Sequence, residues 1–294
     1  MKKAAIIIPI IAGSVLLAVG AALFAVNLSK FIEGGDKGLT SKTFALEEDF
    51  SKINIDIHTS EIEFVNSDES KIEVLESSDY PHSCKIENDT LYLTQEDNHK
   101  WYDFLNFHKK PKATFYITAK EYEKLVINSS TGDIAINHDF SFVSADIKAS
   151  TGDVKFDSDV TNELSVETST GNISVEGVHA DNISVKASTG DVFVSNCVSN
   201  DLNIHTSTGK ILLNDTLVSN HIEMEASTGD VKIHDSDAKT LKIKTSTGDV
   251  TGTLLTAKRF VATSNTGKIS VPQTDGELCE ISTSTGDIKI TLKQ

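Results

Sequence analysis

Three cysteines, four prolines and an aromatic share of 6% are little for 294 residues, and each shortage removes a class of protein. The cysteines, Cys84, Cys197 and Cys279, are odd in number and far apart. That excludes a disulfide framework and a zinc site, and Cys279 reads as a small buried apolar residue. A chain 38% hydrophobic with so little proline is folded and strand-forming, not disordered. Basic residues are also short, 27 against 43 acidic, for a formal net charge of −16. A body that acidic repels nucleic acid. No G-x-S-x-G, H-E-x-x-H or His-Asp-Ser set stands out in the sequence. No cofactor is expected, and the chain reads as a non-enzyme.

What is present begins with one long apolar run. Lys2 and Lys3 precede uncharged residues from Ala4 to Leu28, long enough to cross a bilayer core of roughly 30 Å. Residues 1–28 are therefore expected to be an uncleaved transmembrane signal anchor, with Gly20-Ala21-Ala22 as a weak cleavage alternative. Lysines before the span place the N-terminus in the cytoplasm and the rest outside. The expected localisation is the cell membrane, single-pass, with an extracytoplasmic C-terminal domain. Residues 29–40, with Gly34, Gly35 and Gly38, read as a flexible tether.

The remainder is repetitive. Thr-Gly pairs place Gly132, Gly152, Gly171, Gly190, Gly209, Gly229, Gly248, Gly267 and Gly286 at intervals of 19 or 20. A fixed period of that size means a solenoid. Counting from each glycine, the positions seven and five before it and two and four after it are apolar in 35 of 36 cases, Gly252 being the exception. Alternation in β-branched residues gives two short strands per repeat with one face buried. The residue three before each glycine is small and continues the inward register. Ser-Thr-Gly-Asp is then a corner, expected to be a type II turn with glycine supplying positive φ. Each repeat is too short for a crossover helix, so like strands pair directly in parallel. The fold class is all-β: a parallel β-helix of about 19-residue coils, right-handed by the usual preference, with nine coils over 125–294. Coils stacked in chain order leave the final one, with Ile288 and Ile290, open at the far end. That end is expected to dock a partner or a second copy.

Residues 41–124 lack the Thr-Gly corner and read as an irregular β cap. Ile53, Ile55, Ile57, Ile62 and Phe64 fit one degenerate coil with Ser60 in the place of glycine, and residues 85–93 fit a hairpin around Asn88-Asp89. Between them and the repeat lies an aromatic insertion with the only tryptophan: Trp101, Tyr102, Phe104 and Phe107, followed by Lys109 and Lys110. It suits a plug for the solenoid's lower end, or a surface for membrane or a partner.

A span, a strand-rich cap and many "STGD" corners resemble the bacterial adhesin-like β-strand-repeat family, a domain of unknown function. Its membrane-anchored LiaG-type members imply a Gram-positive cell envelope and an envelope-stress role. The expected function is a non-enzymatic binding or scaffold protein whose partner is an envelope protein or a wall polymer. A surface adhesin for a glycan and a polysaccharide-processing β-helix are the alternatives. As metal ligands only Asp157, Asp159, Asp235 and Asp237 offer paired carboxylates, whereas one Asp per corner is too few for a calcium ladder.

Overall fold

The computed structural model describes residues 39–96 and 111–293, and every regular element among them is a strand. The anchor and most of the tether expected over residues 1–40, and the aromatic insertion with Trp101, Tyr102, Phe104, Phe107, Lys109 and Lys110, lie outside the described residues.

The repeat builds coils of two arms joined at the Ser-Thr-Gly-Asp corner. In chain order the arms are β8 (Glu121–Thr131) and β9 (Ile134–Ile136), β10 (Ser141–Thr151) and β11 (Val154–Phe156), and β12 (Asp159–Thr170) and β13 (Ile173–Glu176). They continue as β14 (His179–Thr189) and β15 (Val192–Ser195), β16 (Val198–Thr208) and β17 (Ile211–Asn214), then β18 (Leu217–Thr228) and the long β19 (Val231–Thr247), which serves two coils. The last arms are β20 (Val250–Leu254), β21 (Lys258–Thr266), β22 (Ile269–Ser270), β23 (Glu277–Thr285) and β24 (Ile288–Leu292).

Long arms pair only with long arms and short with short, in parallel and in the register set by the repeat, as in Leu202↔Ile222 and Leu213↔Ile233. The inward columns Ile183, Val185, Leu202, Ile204, Ile211 and Leu213 are buried. One continuous core runs through the coils. Outward, Lys242 and Lys244 each meet a glutamate of the adjacent coil, Glu223 and Glu225, at 2.6 Å. These pairs are exposed and screened by water, so they contribute little to stability.

Two strands earlier in the chain extend the same ladder: β2 (Lys52–Thr59) and β3 (Glu61–Asn66) lie under β8 and β9, with Thr59↔Thr131 and Ile62↔Ile134 in register. Ser60 stands in the corner column. Below them a further level is made by β6 (Thr90–Gln95) and β7 (Lys112–Ile117), parallel to β2 and β3. The edges turn antiparallel: β5 (His82–Glu87) on β6, and β1 (Thr40–Ala45) on β4 (Lys71–Glu76), itself on β7. Asn88 and Asp89, at φ 51° and 62°, make the tight β5–β6 turn whose two positive φ values match the twist of a hairpin. Aromatic rings fill this end of the core, with Phe64 and Phe115 stacked at 4.8 Å on successive levels.

The far end departs from chain order. β19 pairs with β23, not β21, and β20 pairs with β24, while β21 and β22 lie beyond them. The final coil is thus inserted between its two predecessors. Cys279, Ile281, Ile288 and Ile290 are buried there, so the expectation that Ile288 and Ile290 form an open end is wrong. The outermost coil is 258–271. Lys293, which follows β24, reaches Asp235 at 2.6 Å.

Candidate functional site

The corner, the most repeated feature of the chain, is consumed by the fold. Its glycines have φ between 138° and 156°, far from the +80° of a type II turn, which corrects that expectation. This region is essentially restricted to glycine. Space adds a second demand: a Cβ on Gly209 falls 1.9 Å from the carbonyl oxygen of Gly190. The Gly209 N–H donates to the Thr228 carbonyl at 2.9 Å, and Thr206 Oγ1 donates to the Gly190 carbonyl at 3.1 Å. The residue after glycine closes the corner axially. Asp153 Oδ1 accepts from Asn172 N at 2.7 Å, Asn172 Oδ1 from Asp191 N at 2.9 Å, and Asp191 Oδ1 from Lys210 N at 2.7 Å. One oxygen of each Asp or Asn therefore caps the next coil's backbone, which explains the column without an ion.

Of the two aspartate pairs singled out as metal candidates, only Asp235 falls in a group of three possible ligands among the described residues. Asp159 pairs with His179 Nδ1 at 2.9 Å on the exposed flank. Asp237 is buried with Lys258, whose Nζ lies 2.7 Å from Asp237 Oδ1 and also donates to the Ala238 carbonyl at 2.7 Å and to Thr256 Oγ1 at 2.8 Å. Thr256 N donates to the other Asp237 oxygen at 2.6 Å. This pair clasps the outermost coil to β19. Asp235 sits at φ 47° with Asp215 and His234, their ligand atoms all within 4.8 Å of one another. The Lys293 ammonium already lies against that group and holds the Asp235 carboxyl below its usual range.

A constellation that sequence inspection missed lies at the lower end. Ser60 Oγ is 3.1 Å from His82 Nε2, and His82 Nδ1 is 2.9 Å from Glu76 Oε2, which also accepts from His82 N. Gln95 joins it, donating to Ser60 Oγ at 3.3 Å and accepting from His58 N and Thr59 N at 2.8 and 2.9 Å. The order hydroxyl, imidazole, carboxylate is that of a hydrolytic triad. Ser60, however, is buried, 1% exposed. Burial pushes the His82 pKa down against the pull of Glu76. We read the network as the polar filling of a corner where serine replaces glycine. Its members come from three separate strands, β4, β5 and β6, and from the corner between two others, β2 and β3, and only the displaced glycine position hinted at it.

The cysteines are not reactive groups: burial raises the thiols of Cys84 and Cys197 to about 11 and that of Cys279 to about 12. Among the described residues the large apolar side chains left exposed are Leu75, Phe193, Val198 with its register partner Leu217, Val261 and Ile269. On the outer face of the short-arm sheet Phe193, 37% exposed, neighbours Leu212 in the column of Lys155 and Lys232. At the outermost coil Val261 and Ile269 are 42% and 45% exposed, and Phe260, Ala262 and Val271 are only partly covered.

These features define a closed β-solenoid with a repeated structural corner. The Toastrack DUF4097 family matches residues 50–291, and the chain belongs to that family. No curated protein matches the sequence. Among solved structures, a "putative lipid binding protein" from Parabacteroides distasonis ATCC 8503 is 18% identical, with 85% of this chain and 96% of the other covered at a TM-score of 0.54. A "putative adhesin" from the same organism is 17% identical over 87% and 98%, TM-score 0.52. Another "putative adhesin", from Parabacteroides merdae ATCC 43184, is 15% identical over 88% and 98%, TM-score 0.51. At such identities the likeness establishes the fold alone.

Proposed function

We propose that this chain is a non-enzymatic binding or scaffold protein of the cell envelope, held to the membrane by residues 1–28 with the solenoid outside the cell. One observation carries the reading. The repeat's polar groups are spent on building the rod, with the corner carboxylates bonded to backbone N–H groups, so the rod's role is to present its flanks and its end. The names of the structural neighbours, adhesin and lipid binding, support a binding role of this kind. A part in envelope stress rests on the resemblance to LiaG-type proteins.

A second reading, a surface adhesin for a wall polymer, is favoured by Phe193. An exposed ring on a flat sheet face between Lys155 and Lys232 suits stacking against a sugar of an anionic polymer. Capture with the full tagged chain on intact cells and on purified wall fragments decides between them. A membrane-protein partner supports the scaffold, retention on wall fragments lost in Phe193→Ser supports the adhesin, and shortening of the polymer would refute both.

A further inference from the structure

The outermost coil differs from the body it closes. From Thr256 to Thr274 the chain carries Lys258, Arg259 and Lys268 and no acidic residue, in a protein of net charge −16. Lys258 is buried on Asp237, whereas Arg259 and Lys268 are exposed. Its inward side chains Phe260, Ala262, Ile269 and Val271 have core on one side only, and Val261 projects outward. Among the described strands β21 pairs with β23 alone and β22 with β24 alone, which leaves one edge of the nine-residue β21 without a strand partner, its Lys258 carbonyl accepting from the Thr274 hydroxyl at 2.7 Å.

We propose that this edge is a docking site for an extended acidic and apolar strand of another protein, added beside β21 as a further rung. Charge chooses the occupant. A second copy meeting end to end would set Arg259 and Lys268 against their own like, so self-pairing is opposed here. The opposite edge of β21 shows what it accepts. β23 supplies Glu277 opposite Lys258 and Glu280 opposite Val261, with Cys279 and Ile281 inward against Phe260 and Ala262. An incoming strand of the same alternation would cover the exposed apolar residues and meet the exposed Arg259 and Lys268, with main-chain bonds giving affinity and side-chain register giving specificity. The inference deepens the binding role proposed above by naming its surface and the chemistry of its partner.

The test uses the full chain in detergent micelles and a labelled synthetic peptide with the sequence of residues 277–292 carrying Cys279→Ser. Saturable binding is expected, weakened at least tenfold by Arg259→Glu with Lys268→Glu and by Val261→Lys, and absent for a scrambled peptide. Hydrogen exchange should slow over 258–266 with 277–292 unchanged. No binding, equal binding by the charge-reversed variant, or loss of protection over 277–292, which means exchange of the native coil, would each overturn the proposal. So would a dimer formed through this end, or binding to anionic vesicles that the same substitutions abolish in the absence of peptide binding. If the peptide fails while cell or wall capture persists, the end is excluded and the broader binding role stands.

Discussion

Replacing Gly209 with alanine isolates what the corner demands. Alanine's Cβ would lie 1.9 Å from the Gly190 oxygen and 2.5 Å from its carbonyl carbon, both backbone atoms of the coil beneath. Relief requires the corner to move by about 1 Å, since real Cβ contacts under 3.0 Å essentially do not occur. The conformation itself, φ +148°, costs an alanine roughly 1–3 kcal/mol. The displacement also weakens the Gly209 N–H bond to Thr228 and the Thr206 bond to Gly190, at about 1 kcal/mol each. The expected loss is about 3–5 kcal/mol. Gly177→Ala is the control: it also has positive φ, +69°, but its nearest neighbour is the Asp157 side chain at 3.4 Å. Left-handed strain there, about 1–2 kcal/mol, is partly offset by reduced freedom of the unfolded chain. Urea denaturation of the two variants, with hydrogen exchange to show whether loss is local, measures the difference, because a solenoid need not unfold in one step. Equal destabilisation by the two substitutions would refute the close-packing argument.

Three further outcomes are expected. Lys258→Met should destabilise by about 3–5 kcal/mol in denaturation because it leaves Asp237 buried without its partner, whereas Lys258→Met with Asp237→Leu should recover most of the loss. Thermal stability should fall as pH drops below about 6.5, because the unfolded His82 takes up a proton that the native, depressed imidazole refuses. His82→Gln should flatten that limb of the Tm against pH curve, and an unchanged slope would show that His82 is not its source. A Cys pair at Thr251→Cys and Lys289→Cys should oxidise to a disulfide, since β20 and β24 are adjacent in that register, while Thr251→Cys with Ser270→Cys should not.

Most of the rod is legible in the sequence because its period, inward columns and corner are each repeated nine times, and stacking turns a repeated sequence into a repeated contact. The arms around Leu202, Ile204, Ile211 and Leu213 lie as their alternation predicts. Ser60 keeps the corner register although its coil lacks Thr-Gly, since the register depends on Ile53, Ile55, Ile57 and Ile62 and not on the turn. The turn type was not legible: a glycine in Ser-Thr-Gly-Asp announces positive φ but not how far the chain opens, which the neighbouring coil's carbonyl sets. Nor was the Ser60, His82, Glu76 and Gln95 network, because its members are brought together by one hairpin and two sheet edges with no shared period.

The order of the last three coils is the instructive miss, since identical registers make any order look equally good from apolar spacing alone. The residue after each corner glycine breaks the tie. Aspartate there caps the N–H of the coil above, and lysine does not. In chain order Asp249 would cap Lys268, Lys268 would leave the N–H of Asp287 uncapped, and Asp287 would face solvent. In the observed order Asp249 Oδ1 caps Asp287 N at 2.7 Å, Asp287 Oδ1 caps Lys268 N at 2.7 Å, and Lys268, with nothing above it, has no cap to give. That is one more hydrogen bond, about 1 kcal/mol, to which the Lys258 clasp on Asp237 is added. Lys210 shows that the rule is a bias: it stands inside the rod, and the coil above it does without that cap. Asp287→Lys should therefore remove the advantage of insertion. In that background the Thr251→Cys and Lys289→Cys pair should oxidise more slowly than in the native chain. If its rate is unchanged, the clasp alone holds the order and the corner column has no part in it.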